Sequence, residues 1–360
     1  GNPKGVMIRT QSLLNFLNAM TTQLNLTAQD TWLALTTVSF DISILELIYP
    51  LTIGSTIVLA DSIDTVDGAR INQLIKKNNV TVMQGTPTSW ELLLNSPWKN
   101  ETNLKILCGG EPLTTELKNR LCKKSNSCWN LYGPTETTIW STIQKITKQS
   151  PVTIGKPIFN TKIYILNEDL SCCPIGTTGQ IYIGGAGVSA GYVDNPKLTR
   201  QSFIVNPYQK NDIIYNTGDL GRWLPDGQIE CLGRVDTQVK IRGFRIECKE
   251  IESCIESMDQ ISKAIVIPSE HNQHLRCFYS CNNSNQPTRN KIIEYVKTYL
   301  PSYMVPIEYN ECDTFPTTPN NKIDKIALSK IKPKFSTTVK AHRLTATEKS
   351  LQIAWGKILN

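Results

Sequence analysis

The sequence has no CxxC pair and no internal repeat. It also has no block of basic residues interleaved with aromatics. The first absence, with an odd count of 11 cysteines and Cys172 adjacent to Cys173, excludes the stapled framework of a small secreted domain. Reduced thiols in a cytoplasm are expected instead. His271 and His274 flank two amide residues, and a polar surface loop is expected there, not a metal site. The net charge of +7 comes from lysines and arginines spread along the chain. That pattern describes a solvated surface, not a nucleic-acid face. The most apolar stretch, 42–60, is interrupted by Glu46, Pro50 and Gly54, so no membrane span is expected. No signal peptide is visible, and the chain opens at Gly1 inside what reads as a motif, as a fragment of a longer protein would.

What is present is an α/β pattern. A chain of 360 residues accommodates two or three domains at roughly 100–200 residues each. Short β-type runs at 55–61, 80–85 and 104–110 alternate with amphipathic helical patterns at 69–79 and 114–124. This predicts a mainly parallel sheet, with ligands held at the carboxyl ends of its strands. The segments "CGGE" and "NLYGPTE" both follow apolar runs and are placed to line one crevice. Residues 160–235 are rich in glycine and β-formers, with a turn at Pro225-Asp226-Gly227, and predict a β-rich subdomain. From about 237 a smaller α+β unit follows, with helices near 247–258 and 288–299. Residues 332–344 have linker composition. Residues 345–360 begin a helix with Thr345 and Glu348 as a capping box and Leu351, Trp355 and Ile358 on one face.

Taken singly, the polar motifs are ambiguous. "GNPKG" at 1–5 is a turn with a lysine, and "GGAGVSAG" at 184–191 lacks the spacing of a dinucleotide fingerprint and reads as β-turn packing. Asp219, in a Thr-Gly-Asp turn, suits a pair of ribose hydroxyls, with each bond to a charged acceptor contributing about 1.5–3 kcal/mol. Arg234, Asp236, Lys240, Arg242 and Arg245 follow it, and a solvated charge cluster between two domains would look the same.

The ordered set of motifs is more specific. "GNPKGV", "FDISILE", "NLYGPTE", "GQIYIGGAGVSAGY", "YNTGDL", "GRVDTQVKIRGFRIE", "LPSYMVP" and "NNKIDK" run in order over nearly the whole chain. The set resembles the adenylation domains of nonribosomal peptide synthetases, within the adenylate-forming superfamily. The resemblance implies an α/β fold with a large domain, here lacking its N-terminal part, a β-rich subdomain and a small mobile α+β C-terminal domain. It implies a division into 1–236, 237–331, a linker at 332–344 and the start of a carrier domain at 345–360. The implied reaction uses Mg-ATP to convert an amino acid into its adenylate and pyrophosphate. The acyl group then passes to the phosphopantetheine thiol of a carrier domain, with condensation domains as further partners.

Residue roles follow from the same resemblance. Lys4 corresponds to the end of the phosphate loop, and Gly109, Gly110 and Glu111 to the segment beside the adenine. Tyr132 and Gly133 lie near the nucleotide. Thr135 and Glu136 correspond to phosphate and magnesium contacts, Asp219 to the ribose-binding Asp and Arg234 to a residue that supports the nucleotide. Asp236 corresponds to the hinge, and Lys322 to the lysine that bonds the carboxylate and adenylate. The chemistry fits these types: attack of a carboxylate on the α-phosphate joins two anions, so a metal ion and a lysine must stand where negative charge develops. A lysine on a mobile domain can leave afterwards. Two departures stand out: the Ser/Thr/Gly-rich stretch that precedes "GNPKG" in the family is absent, and Asn321 stands where glycine is usual.

The pocket wall implied by the resemblance is Asp41, Ile42, Leu45, Gln84, Leu107, Gly109, Leu131, Ile139 and Trp140, with Lys322 at the carboxylate end. Asp41 would pair an α-ammonium; the alternative is a helix N-cap, since "FDIS" precedes an apolar periodic run. The lining is bulky, and the set resembles glycine-activating members, with alanine, cysteine or another small residue next. Two other functions remain at this point: an acyl- or aryl-CoA ligase of the same superfamily, and a catalytically incompetent fragment.

Overall fold

The computed structural model describes residues 4–101, 103–235, 238–241, 244–269, 274–282, 286–312, 314–317 and 323–331. Asp236, Lys322, His271, the linker at 332–344 and the helix expected at 345–360 lie outside the described residues.

In chain order the first part comprises α1 (Thr10–Leu24), β1 (Thr31–Ala34), α2 (Ser43–Leu47), α3 (Tyr49–Ile53), β2 (Thr56–Leu59), α4 (Gly68–Lys77), β3 (Val82–Gly85), α5 (Pro87–Leu94), β4 (Lys105–Gly109), α6 (Thr115–Lys124), β5 (Cys128–Tyr132), β6 (Thr142–Ile146) and β7 (Lys156–Pro157). The strands form one sheet in the order β2-β1-β3-β4-β5-β6-β7. The first five are mutually parallel, and β6 and β7 run antiparallel. The strands and helices expected from sequence are all found here within a few residues. Local chemistry sets the helix ends. Asp67 accepts from the amides of Ala69 and Arg70 at the start of α4, and Thr114 accepts from Leu117 at the start of α6. Thr86 caps α5, whose first residue is Pro87.

β3 and β5 are buried along their whole length, as strands covered on both faces must be. The two-residue period sends alternate side chains into separate cores. Trp32, Val82, Leu107 and Leu131 join one cluster with Phe16, Tyr49 and Trp140. Leu33, Met83, Ile106 and Cys108 join the other with Trp90, Trp98 and Leu121.

The next strands are β8 (Thr161–Leu166), β9 (Gly179–Gly185), β10 (Phe203–Val205), β11 (Ile213–Trp223) and β12 (Ile229–Arg234), with α7 (Pro196–Ser202) between β9 and β10. They form the expected β-rich layer, all antiparallel. The Pro-Asp-Gly turn joins β11 to β12 and is closed by Leu224 and Gln228. The smaller α+β unit contains β13 (Gln238–Ile241), β14 (Phe244–Glu247), α8 (Cys248–Glu256), β15 (Ile261–Pro268), β16 (Leu275–Cys281), α9 (Arg289–Tyr299), β17 (Glu308–Glu311) and α10 (Lys325–Ser329). Its own apolar core lies between β15–β16 and the helices α8 and α9. Phe244 stacks on Tyr303 and on Phe40 of the first part, at centroid distances of 4.1 and 6.5 Å. His274, at the end of the expected polar loop, bonds Glu308 at 2.7 Å.

All 11 cysteines are free thiols. Among the described residues no helix is long and apolar enough to cross a membrane.

Candidate active site

The carboxyl ends of β4 and β5 are adjacent, with Gly109 opposite Leu131 in register. The chain leaves both strands at the same edge, and a cavity of about 540 Å³ opens there. Gly110, Glu111, Tyr132, Asp219 and Arg234 all line it, so the crevice expected between "CGGE" and "NLYGPTE" exists. Its volume is in the range of small-molecule sites. Its polar wall is a hydrogen-bonded chain. The Tyr132 hydroxyl donates to Asp219 Oδ2 at 2.5 Å, and Arg234 donates to Asp219 Oδ1 at 2.8 Å and to the Thr217 carbonyl at 3.0 Å. Thr217 Oγ1 accepts from the Asp219 amide, fixing the turn. Burial pushes the Tyr132 phenol well above its usual range, and the Asp219 charge adds to this, so the hydroxyl stays a donor. A carboxylate offers about four acceptor sites, so two fixed donors orient Asp219 and leave it acceptor capacity toward the cavity.

Beyond β5 the chain makes a 3₁₀ turn over Thr135–Thr137. Gly133 is required there: a Cβ would meet the Ile139 carbonyl at 2.4 Å and the Ser141 amide at 2.7 Å. Thr138 and Ile139 both adopt left-handed backbone, with φ of 66° and 69°. Two successive β-branched residues in that region are strained, a feature that clusters at functional sites. The strain is held by neighbours. Thr138 Oγ1 donates to the Gly187 carbonyl at 2.7 Å, and the Ser189 amide donates to the Glu136 carbonyl at 2.9 Å. The glycine-rich segment 184–191 therefore packs against this turn. The Glu136 carboxylate is buried and accepts from the Tyr192 hydroxyl at 2.7 Å. Burial, reinforced by the Glu136 charge, pushes the Tyr192 phenol far up. A hard carboxylate held in this way fits magnesium, which takes one or two protein carboxylates and completes its shell with phosphate and water. Lys4 pairs with Glu247 of β14 at 3.0 Å. Both line a neighbouring cavity of about 230 Å³ with Tyr192 and Arg234.

The expected amino-acid pocket follows from the two-residue strand period. Gln84 and Leu107 are register partners, as are Gly109 and Leu131, and all belong to the face that carries Trp140. Ile42, Leu45, Leu107, Leu131, Ile139 and Trp140 fall in a single buried cluster. The Trp140 ring lies on Gly109, where a Cβ would be 2.7 Å from Cη2 and 2.6 Å from the Leu131 carbonyl. Trp140 Nε1 donates to Gln84 Oε1 at 2.9 Å. Asp41 and Ile139 line a smaller cavity of about 170 Å³, with Thr135, Thr138 and Arg9. The N-cap reading of Asp41 does not hold: α2 starts at Ser43, its cap position is Ile42, and no side chain caps it.

Several residues were not singled out from sequence. Tyr192 was visible only as the last residue of a quoted motif. Thr217 was visible only as part of its turn, and Cys231, a wall of the larger cavity, only as part of a strand. Glu46 left one signal, a charge inside the most apolar stretch of the chain. It is wholly buried. Burial raises its carboxyl above the usual range, against bonds from Thr36, Gln84 and Leu35 that pull it back.

A nucleotide-sized cavity at the carboxyl ends of parallel strands, walled by an oriented carboxylate and flanked by a second buried carboxylate, defines a nucleotide-binding α/β enzyme. The chain belongs to the AMP-binding enzyme family, whose model matches residues 1–193; the AMP-binding enzyme C-terminal domain matches residues 250–322. It is 40% identical over 346 residues to the dimodular nonribosomal peptide synthase of Bacillus subtilis (strain 168), covering 94% of this chain and 14% of that protein. It is 37% identical to gramicidin S synthase 2 of Aneurinibacillus migulanus, covering 91% of this chain and 8% of that protein. Among solved structures it resembles a four-domain nonribosomal peptide synthetase bound to AMP and glycine, with a TM-score of 0.65, 37% identity and coverage of 93% and 26%. It also resembles the Vibrio cholerae adenylation domain AlmE in complex with glycyl-adenosine-5'-phosphate, with a TM-score of 0.81, 25% identity and coverage of 91% and 63%. The motif-based resemblance to nonribosomal peptide synthetase adenylation domains, and the adenylate-forming fold, are thus borne out. The chain spans a small part of the length of the curated relatives it matches.

Proposed function

We propose that this chain is the adenylating unit of a nonribosomal peptide synthetase and that its amino acid is glycine. The observation that carries the second half is the seat of Trp140. Its ring is wedged on Gly109 and its indole N–H is tied to Gln84, so the pocket floor is filled. A filled floor rejects larger side chains by overlap, a stronger filter than the absence of contacts. That two structural relatives carry glycine or glycyl-adenosine phosphate supports the same reading.

In this reading the larger cavity takes the nucleotide, with Asp219 accepting from the ribose and Gly109, Gly110 and Glu111 beside the base. Glu136 holds magnesium, which supplies charge neutralisation at the phosphates. Thr135 and Lys4 contact phosphate, and Asp41 pairs the ammonium. Lys322 bonds the carboxylate, and the small unit turns about Asp236 to bring it in and take it away. The products are aminoacyl-AMP and pyrophosphate, and the acyl group then passes to a carrier-bound phosphopantetheine thiol. The division at 236, the linker at 332–344 and the carrier start at 345–360 belong to the same proposal.

The test is amino-acid-dependent exchange of pyrophosphate into ATP by the natural full-length protein. Exchange highest with glycine is the expected result. Exchange only with fatty or aryl acids would identify an acyl-CoA ligase instead. No exchange with any acid would identify an incompetent enzyme.

A further inference from the structure

Trp140 is held by a hydrogen-bond chain that begins at Glu46, directly behind the pocket residue Gln84. The Glu46 carboxylate accepts from the Leu35 and Thr36 amides, each at 2.9 Å, and from Thr36 Oγ1 at 2.6 Å. It accepts also from Gln84 Nε2 at 2.8 Å, which donates to the Ile42 carbonyl at 2.9 Å as well. Gln84 Oε1 in turn accepts from Trp140 Nε1. Glu46 and Gln84 are wholly buried, and Trp140 nearly so.

The chemistry leaves this chain one orientation. An indole N–H only donates, so the Gln84 oxygen must face Trp140. A backbone carbonyl and a carboxylate accept, so the Gln84 nitrogen must face Ile42 and Glu46. Every partner of Glu46 is a donor, so the position calls for an acceptor at both oxygens. A buried network satisfied in this way rigidifies its members, and one broken link leaves polar groups unpaired where that is costly.

We propose that Glu46 is a positioning residue for substrate selectivity: by orienting the Gln84 amide it locks Trp140 in the seat that limits the pocket to the smallest amino acid. The proposal rests on the glycine reading for the substrate's identity, but not for the coupling itself. Glu46→Gln places an amide nitrogen against N–H donors whichever way it turns, or else makes Gln84 rotate. Either way the acceptor for Trp140 Nε1 is lost or weakened, and the ring can vacate part of the floor.

The experiment is a double-mutant cycle on the full-length protein, read by pyrophosphate exchange with glycine and with alanine. Glu46→Gln lowers the glycine-over-alanine ratio of kcat/KM by about tenfold, the weight of one hydrogen bond in such a network. The change comes chiefly from a lower KM for alanine, with the KM for ATP unmoved. Trp140→Phe keeps an aromatic ring, though a smaller one, and has no N–H to donate, and in that background Glu46→Gln moves the ratio no further. If Glu46→Gln does not fold, Glu46→Asp, which keeps the charge but withdraws it by one methylene, gives the same readings. An unchanged ratio overturns the proposal. So does an equal loss with both amino acids, or the same drop in the Trp140→Phe background, since each describes a residue that only supports the fold. A wild-type enzyme preferring another amino acid would count against the glycine reading. The same cycle, read as that substrate against its next larger homologue, then decides the role of Glu46.

Discussion

The two ends of segment 130–140 face different problems and solve them with different materials. Around Tyr132, Asp219 and Arg234 the wall is polar, oriented by side-chain bonds and open to a cavity of about 540 Å³. Around Trp140 it is buried and tightly packed, and the nearby cavity at Asp41 is about 170 Å³. A large, charged, unvarying ligand is recognised by aiming acceptors and donors at it. A very small one offers few groups to bind, so it is recognised by denying space to everything larger. Both places contain a buried carboxylate, used differently: Asp219 lines the cavity and is set by Tyr132 and Arg234, while Glu46 stands behind Gln84 and sets it.

The comparison can be broken from the nucleotide side first. Lys322→Ala should have the largest effect, lowering kcat for adenylation by about 10²–10³-fold while ATP binding persists. Equilibrium nucleotide binding and single-turnover adenylate formation separate the two; retained turnover would remove Lys322 from the chemistry. Asp219→Ala should raise the KM for ATP by about 10–100-fold, since a charged acceptor facing the cavity is lost. The glycine-over-alanine ratio should stay put, and a change in it would mean that the two halves are not independent. The smallest effect expected is that of Tyr192→Phe. It removes a donor that orients Glu136 and should raise the magnesium concentration needed for half-maximal exchange by about tenfold. An unaltered titration would leave the 2.7 Å contact without a role in metal binding.

Much of the frame was legible in the sequence because its signals are local. The strand that ends in Gly109 and the helices capped by Asp67 and Thr114 each announce themselves within a few residues. The proposed pocket set came only from the resemblance. Its geometric reason, that Gln84, Leu107, Gly109 and Leu131 share one face of neighbouring parallel strands, needs the sheet order. What could not be read were partnerships across the chain. Tyr132 and Asp219 are 87 residues apart, and Glu46 and Gln84 are 38 apart. The Asp41 N-cap alternative failed for a local reason. The chain turns through Phe40–Ser43 and Asp41–Ile44 backbone bonds before α2 begins, so Asp41 precedes the cap position.

The most direct test of the division between the halves is Trp140→Ala, assayed by pyrophosphate exchange over glycine, alanine, serine and larger amino acids, with the KM for ATP measured in parallel. Relaxed selectivity, with larger side chains gaining on glycine while the KM for ATP stays within about twofold, is the predicted result, since the ring removed belongs to the buried, closely packed half. An unchanged amino-acid profile, or a profile and an ATP KM that move together, would contradict it.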